Sequence, residues 1–310
     1  MNVAPSMDRP RQRARPRLFV YLSLARASFL PTVWTNGLAG LTLGGGYSDS
    51  DPVSLLLALS LMYTAGMFLN AAFDADYDRQ IHPERPIPRG EIDAGSVYLA
   101  GFGLLAAGIV IVGWKTGWSI EPLTWTSLLA GLIVYFNYRH RSDRLSPLAL
   151  ALCRVMIYFA AAATVDSAFN SEMMIGALML AGYWIGLTYL PKQGDFNNLR
   201  NLWPIALISL PLIHFFRGAH LVFVVLYVGW VIYALSFLIE TPRNGQAATT
   251  SLIAGISLLD ALTISTFTGH MTLAVTALVC FLLTLTFERI SSGFYRKASD
   301  VISTSRDLSS

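Results

Sequence analysis

Apolar runs of roughly 17–25 residues, each long enough to cross the hydrocarbon core of a bilayer as a helix, recur along this chain from Phe19 onward. Few folds accommodate that pattern. Charge is scarce as well: 13% of the 310 residues are Asp, Glu, Lys or Arg, about half the share usual in a soluble domain. The chain reads as an all-α polytopic membrane protein.

Hydropathy places about ten spans, beginning near Phe19, Val53, Gly95, Pro122, Leu145, Met173, Leu202, Leu221, Ser251 and Met271. The run from Leu202 to Phe216 is short and holds Pro204 and Pro211, so it is the weakest of them. The N-terminal "MDRPRQRARPR" reads as a basic flank, because a long first span follows it instead of a short core with a cleavage site. Residues 1–17 are thus expected to form a cytoplasmic tail, 18–292 a single transmembrane domain and 293–310 a polar tail. The connections fall into two sets. "DRQIHPERPIPRG", "YRHRSDR", "KQGDFNNLR", "ETPRNG" and both tails are basic, whereas "GGGYSDSDP", "KTGWSIEP" and "VDSAFNSE" are acidic or nearly neutral. Basic loops belong on the cytoplasmic side, which puts both termini there, in a bacterial inner membrane. The connections after the second, fourth and sixth spans then share one face and carry most of the polar chemistry. Arginines in the tail suit anionic lipid or a topological role, and nucleic acid is not an expected partner.

One of these connections, "NAAFDADYDRQIHPERPIPRG" from Asn70 to Gly90, follows directly on an apolar run. Asn70, Asp74 and Asp78 are four apart, which puts them on one face of a helix extending the second span. Oxygen-bearing side chains so arranged suit a hard cation such as Mg2+, which commonly bridges carboxylates to a substrate phosphate. Asp76 lies off that face and is expected in solvent. Arg79, Arg85 and Arg89 follow, with guanidinium forks that match phosphate oxygens, and Pro83, Pro86 and Pro88 stiffen the loop. A plainer reading, a helix end decorated with solvated charge, explains the arginines but not the regular Asn-x3-Asp-x3-Asp face.

These residues resemble the first aspartate-rich motif of the UbiA superfamily of intramembrane prenyltransferases, including the downstream "RPIPRG". "RASFLPTVWTNGLAG" (Arg26 to Gly40) resembles that family's first helix, and "YFNYRHRSDRLSPLALALCRVMIYFAAA" its fourth-to-fifth helix connection. The resemblance implies a UbiA-like bundle of about nine to ten transmembrane helices around a central cavity. It also implies Mg2+-dependent transfer of a prenyl group from an isoprenyl diphosphate to an aromatic or other small acceptor. On that footing Asp74, Asp78 and Asp195 are the expected catalytic residues, and Asn70, Asp74, Asp78 and Asp195 the expected metal ligands. Asn36, Asn70, Arg79, Arg85, Arg154, Tyr189 and Lys192 are expected to bind substrate. The family's second acidic motif corresponds to "YLPKQGDFNNLRNLWP", where Asp195 is the single carboxylate, beside Asn197 and Asn198.

Arg26, Arg154 and Asp260 fall within expected spans, where a charge is costly enough that it usually faces a cavity or a partner. Arg154 is expected to meet an anionic substrate or to pair with Asp260, and Arg26 to snorkel. Gly40 and Gly44 form a small-xxx-small pattern suited to close helix packing. Cys153 and Cys280 lie in apolar runs and are expected as buried thiols, and the five histidines lack metal-ligand spacing. Two alternatives to transfer stand beside it: a non-catalytic relative that binds or helps move an isoprenoid or precursor, and a terpene cyclase using the same metal site.

Overall fold

The computed structural model describes residues 17–45, 52–141, 146–165, 169–193, 198–239, 244–267 and 271–307. All regular structure among them is helical. α1 (Arg17–Ala25) and α2 (Leu30–Leu43) are joined by a 3₁₀ turn at Ala27–Phe29; α3 (Pro52–Phe73) runs on into α4 (Ala75–Ile81); α5 (Ala94–Lys115), α6 (Ile120–Arg139), α7 (Ser146–Ala162) and α8 (Ser171–Tyr189) follow. The second half comprises α9 (Trp203–Ser209), α10 (Ile213–Phe216), α11 (Leu221–Ile239), α12 (Gly245–Ala254), α13 (Ile256–Phe267) and α14 (Met271–Asp307).

Six helical stretches are long and apolar enough to cross a membrane: 52–73, 94–115, 171–192, 221–239, 245–266 and 271–291. Helix α7 and the broken α9–α10 stretch are shorter apolar segments, the latter interrupted by a 3₁₀ turn that contains Pro211.

Helix ends are set by local chemistry. The Asp93 carboxylate accepts the Ser96 N–H at 2.9 Å and starts α5; Asn244 likewise accepts the Ala247 N–H at 2.9 Å to start α12. Asn170 caps α8 by accepting the Met173 N–H at 2.7 Å, and its amide also donates to the Leu43 carbonyl at 2.8 Å, tying α8 to the end of α2.

Two differences from the sequence expectation concern the chain's ends. The first span is not one helix from Phe19 to Leu43. Arg26 takes a left-handed conformation (φ 44°, ψ 47°) that breaks it, so Arg26 sits exposed at a bend instead of inside a span. Pro31, in the first turn of α2, marks where the helix restarts. At the other end the backbone of α14 continues as helix to Asp307, through most of the segment expected as a tail.

The core has two main bodies. One is built by α2, α3, α5, α6 and α7, with Leu41, Leu59, Met62 and Ile157 inside; the other is built by α7, α8 and α11–α14, with Tyr158, Leu180, Tyr183 and Leu259 inside. Helices α2 and α7 run between them in backbone contact. A Cβ at Gly40 would stand 2.6 Å from the Tyr158 carbonyl oxygen, and one at Gly44 would stand 2.8 Å from the Ala162 Cα. The glycine pair is therefore a packing device, as expected. Large apolar side chains remain exposed on the outer faces, among them Leu99, Trp114, Leu178, Val222 and Ile239, an arrangement suited to lipid.

Candidate functional site

The face expected from the spacing forms. Main-chain hydrogen bonds from the Asp74 N–H to the Asn70 carbonyl (3.0 Å), from Asp78 to Asp74 (2.8 Å) and from His82 to Asp78 (2.8 Å) carry helical geometry across the α3–α4 junction. Asn70 and Asp78 line a cleft of about 100 Å3 shared with Ser23, Arg26, Met67, Arg85 and Pro88. Asp74 and Asp78 are 4% and 1% exposed, so two carboxylates are buried at a helix end.

Buried carboxylates need compensation, and here it comes from basic side chains. Arg85 Nη1 donates to Asp78 Oδ2 at 2.7 Å. Arg141 Nε donates to Asp74 Oδ1 at 2.5 Å, and its Nη2 lies 3.7 Å from Asp78 Oδ1. The Arg141 guanidinium is itself held over the Tyr77 ring, 3.4 Å from its centroid. His140 adds Nε2 at 3.3 Å from Asp74 Oδ1, while its Nδ1 stands 3.0 Å from the Asn137 carbonyl. Both ring nitrogens face acceptors, an arrangement suited to the imidazolium.

Burial alone pushes the Asp74 carboxyl up, but the hydrogen bonds and charges of His140 and Arg141 outweigh it and bring it from 3.8 down to about 2. The hydrogen bond to Asp74 holds His140 above its usual 6.5.

The donor set fits a hard cation: two carboxylates and an amide oxygen on one face, with Asp78 Oδ1 buried and accepting no hydrogen bond. Among the described residues no three His, Cys, Asp or Glu side chains converge on a metal position. Asp195, the fourth expected ligand, and Asn197 lie outside the described residues.

Other expected site residues are placed elsewhere. Arg79 pairs with Asp76, its neighbour on the solvent side, and the two side chains are 58% and 91% exposed. Lys192 lies over the Tyr189 ring at 5.2 Å; that ring packs against Trp203, and no hydrogen bond or ion pair among the described residues joins either residue to Asp74 or Asp78. Asn36 and Arg154 belong to a second, interior set. Arg154 Nη1 donates to Thr32 Oγ1 and Asn36 Oδ1, both at 3.1 Å. Asn36 Nδ2 donates to Asp260 Oδ2 at 2.8 Å, and the Tyr158 hydroxyl donates to Asp260 Oδ1 at 2.5 Å. The Arg154–Asp260 pairing thus runs through Asn36 and is not direct.

His140, Arg141 and Tyr77 were not singled out from the sequence. The run "YRHRSDR" that contains the first two stands out by its charge and by its family resemblance, but a connection has no fixed periodicity from which to infer a facing residue.

A family model for the UbiA prenyltransferase family matches residues 28–265, a range that takes in both the cleft and the interior set. The chain belongs to this family. It is 26% identical over 187 residues to protoheme IX farnesyltransferase of Jannaschia sp. (strain CCS1), a match covering 57% of this chain and 60% of that one. It is also 30% identical over 126 residues to a digeranylgeranylglyceryl phosphate synthase of Ignicoccus hospitalis, covering 40% of each. The chain therefore spans 60% or less of the length of these curated relatives. A solved structure described as giving insight into digeranylgeranylglyceryl phosphate synthase in membranes superposes with a TM-score of 0.57 at 16% identity, covering 82% of this chain and 99% of that one. At that identity the likeness is one of fold. This UbiA-family chain is accordingly an integral membrane protein with the family's helical architecture.

Proposed function

We propose that this UbiA-family chain is a Mg2+-dependent intramembrane prenyltransferase that moves a prenyl group from an isoprenyl diphosphate to an aromatic or other small acceptor. The observation that supports it most is the buried pair Asp74 and Asp78 on one helix face, ringed by Arg85, His140 and Arg141. Asn70, Asp74 and Asp78 would hold the cation, with Asp195 contributing from the connection after α8. Bound there, Mg2+ would supply charge to a leaving diphosphate. Arg85 and Arg141 reach the same carboxylates and are placed to take phosphate oxygens, releasing Asp74 and Asp78 to the metal. Lys192 and Arg79 are further candidates if their side chains turn inward. In the step itself the C1–oxygen bond of the prenyl group breaks, diphosphate leaves with the electron pair, the acceptor bonds to C1, and the acceptor's proton is lost. Apolar helix walls keep water from the allylic cation.

The same reading has about ten spans, both termini and the cleft on the cytoplasmic side, and a bacterial inner membrane as its setting; the basic connections support it.

A second reading, a non-catalytic isoprenoid-binding relative, draws on the fact that Asp74 and Asp78 each already have a basic partner. Incubating the purified protein with labelled geranyl diphosphate, Mg2+ and lipid extract separates the two. Release of diphosphate supports transfer, whereas intact substrate under conditions where it binds supports the second reading.

A further inference from the structure

We infer that Asn137 is a positioning residue for the aspartate face: its carboxamide ties α6 to α3 one turn before Asn70 and so sets how Arg141 and His140 meet Asp74. The inference rests on the proposed transfer only for the reaction it serves.

Asn137 is 3% exposed. Its Nδ2 donates to the Gly66 carbonyl of α3 at 3.2 Å and to the Ile133 carbonyl of its own helix at 2.9 Å. Gly66 stands four residues before Asn70, so its carbonyl is also the one to which an α-helix directs the Asn70 N–H. The two helices are close at this level, since a Cβ at Gly66 would stand 3.3 Å from Ile133 Cγ2.

Packing alone does not account for an amide here. Among the described residues Asn137 Oδ1 is buried and accepts no hydrogen bond, and a buried acceptor left unmade costs stability. Leucine has the same branching and would leave no polar atom behind. What the amide adds is a donor, and the bond that leaves its own helix goes to Gly66.

Register carries this tie to the carboxylate. Gly66, Asn70 and Asp74 stand four apart along α3 and its continuation, while Ile133, Asn137 and Arg141 stand four apart along α6 and just past its end at Arg139. Asp74 lies about 12 Å beyond the tie on one side and Arg141 about 6 Å beyond it on the other. The long Arg141 side chain makes up the difference and reaches Asp74 Oδ1. The main chain of Asn137 adds a second hold. Its carbonyl, one that the last helical turn leaves open, faces His140 Nδ1 at 3.0 Å, and Nε2 of that ring is directed at Asp74 Oδ1, 3.3 Å away. Both basic groups on Asp74 therefore take their placement from one residue.

The test compares backgrounds in the full-length protein in detergent. Arg141→Gln should lower the unfolding midpoint, and in the Asn137→Leu background it should lower it less than about half as much, because the guanidinium is no longer held on Asp74. Asn137→Leu by itself should stay within about 3 °C of the wild type. Asn137→Ser, too short to reach Gly66, takes its place if Asn137→Leu does not fold. With geranyl diphosphate and Mg2+, the folded variant should lose about tenfold or more in kcat for diphosphate release while KM changes less than about threefold, since Asn137 lines no part of the cleft. An equal loss from Arg141→Gln in both backgrounds would overturn the positioning role, and so would wild-type kcat in the folded variant. A wild type that releases no diphosphate would count against the transfer reading alone, and the comparison of midpoints would still decide the role of Asn137.

Discussion

At the α3–α4 junction, Arg85 and Arg141 touch Asp78 and Asp74 directly, at 2.7 and 2.5 Å. In the interior, Arg154 reaches Asp260 only through the amide of Asn36. These two arginine side chains are each 36% exposed, so water can replace a partner when one leaves. The interior group has no such reserve, since Asn36 and Asp260 are fully buried. Direct pairs at a wet rim can be exchanged for a ligand. A mediated pair in a dry interior holds its members apart and leaves part of the cation unused.

The largest expected effect would break the interior half of this contrast. Asp260→Ala removes the carboxylate that Arg154 reaches through Asn36 and should lower stability in detergent by about 3–5 kcal/mol, the usual cost of orphaning a buried charge. A loss under about 1 kcal/mol would mean that Asp260 does not compensate Arg154. Next comes the chemistry of the cleft. Asp74→Asn or Asp78→Asn should cut diphosphate release more than about a hundredfold, roughly 2.7 kcal/mol of barrier, while far-ultraviolet circular dichroism stays unchanged. Comparable in size is a ligand effect: geranyl diphosphate at a hundred times its dissociation constant should stabilise the protein by about 2.7 kcal/mol with Mg2+ and markedly less with a chelator. Equal stabilisation in both would remove the metal from the cleft.

A smaller effect follows pH in protein kept free of Mg2+. Asp74 is depressed from 3.8 to about 2 in the fold, so its contribution is present above 3.8 and is lost as pH falls through about 2. His140 is raised above 6.5, so its contribution is full below 6.5 and is lost as pH rises through the folded value. Unfolding midpoints should fall at both ends, and Asp74→Asn should flatten both limbs. The smallest effect is at Arg79. Its exposed pair with Asp76 predicts that Arg79→Ala changes stability by less than about 1 kcal/mol, measured by denaturant unfolding.

What the sequence made legible depended on periodicity. Helices and their apolar outer faces follow from run length, and the Asn70–Asp74–Asp78 face follows from spacing, because four residues nearly complete a helical turn. Arg141 and His140 reach Asp74 across 67 and 66 positions, a meeting made by the packing of α6 beside α3, which no local pattern encodes. The Arg26 bend is half legible: Pro31 is suited to a helix start, but the apolar residues on both sides of Arg26 read as one span and conceal the stop before it. Arg154 and Asp260 stand out as misplaced charges and Asn36 as an expected substrate-binding residue; the bridge that Asn36 makes between the two comes from packing between distant helices, which again no local pattern encodes.

The glycine seam between α2 and α7 has a consequence for the interior charges. Two helices in backbone contact cannot splay by even a methyl group without losing that contact. One of them carries Thr32 and Asn36, the other Arg154, and the first of them begins at the bend beside the cleft. The separation between Arg154 and the amide that joins it to Asp260 is then a fixed length, a gauge built from main chain, and Gly40→Ala would recalibrate that gauge without touching a charged residue.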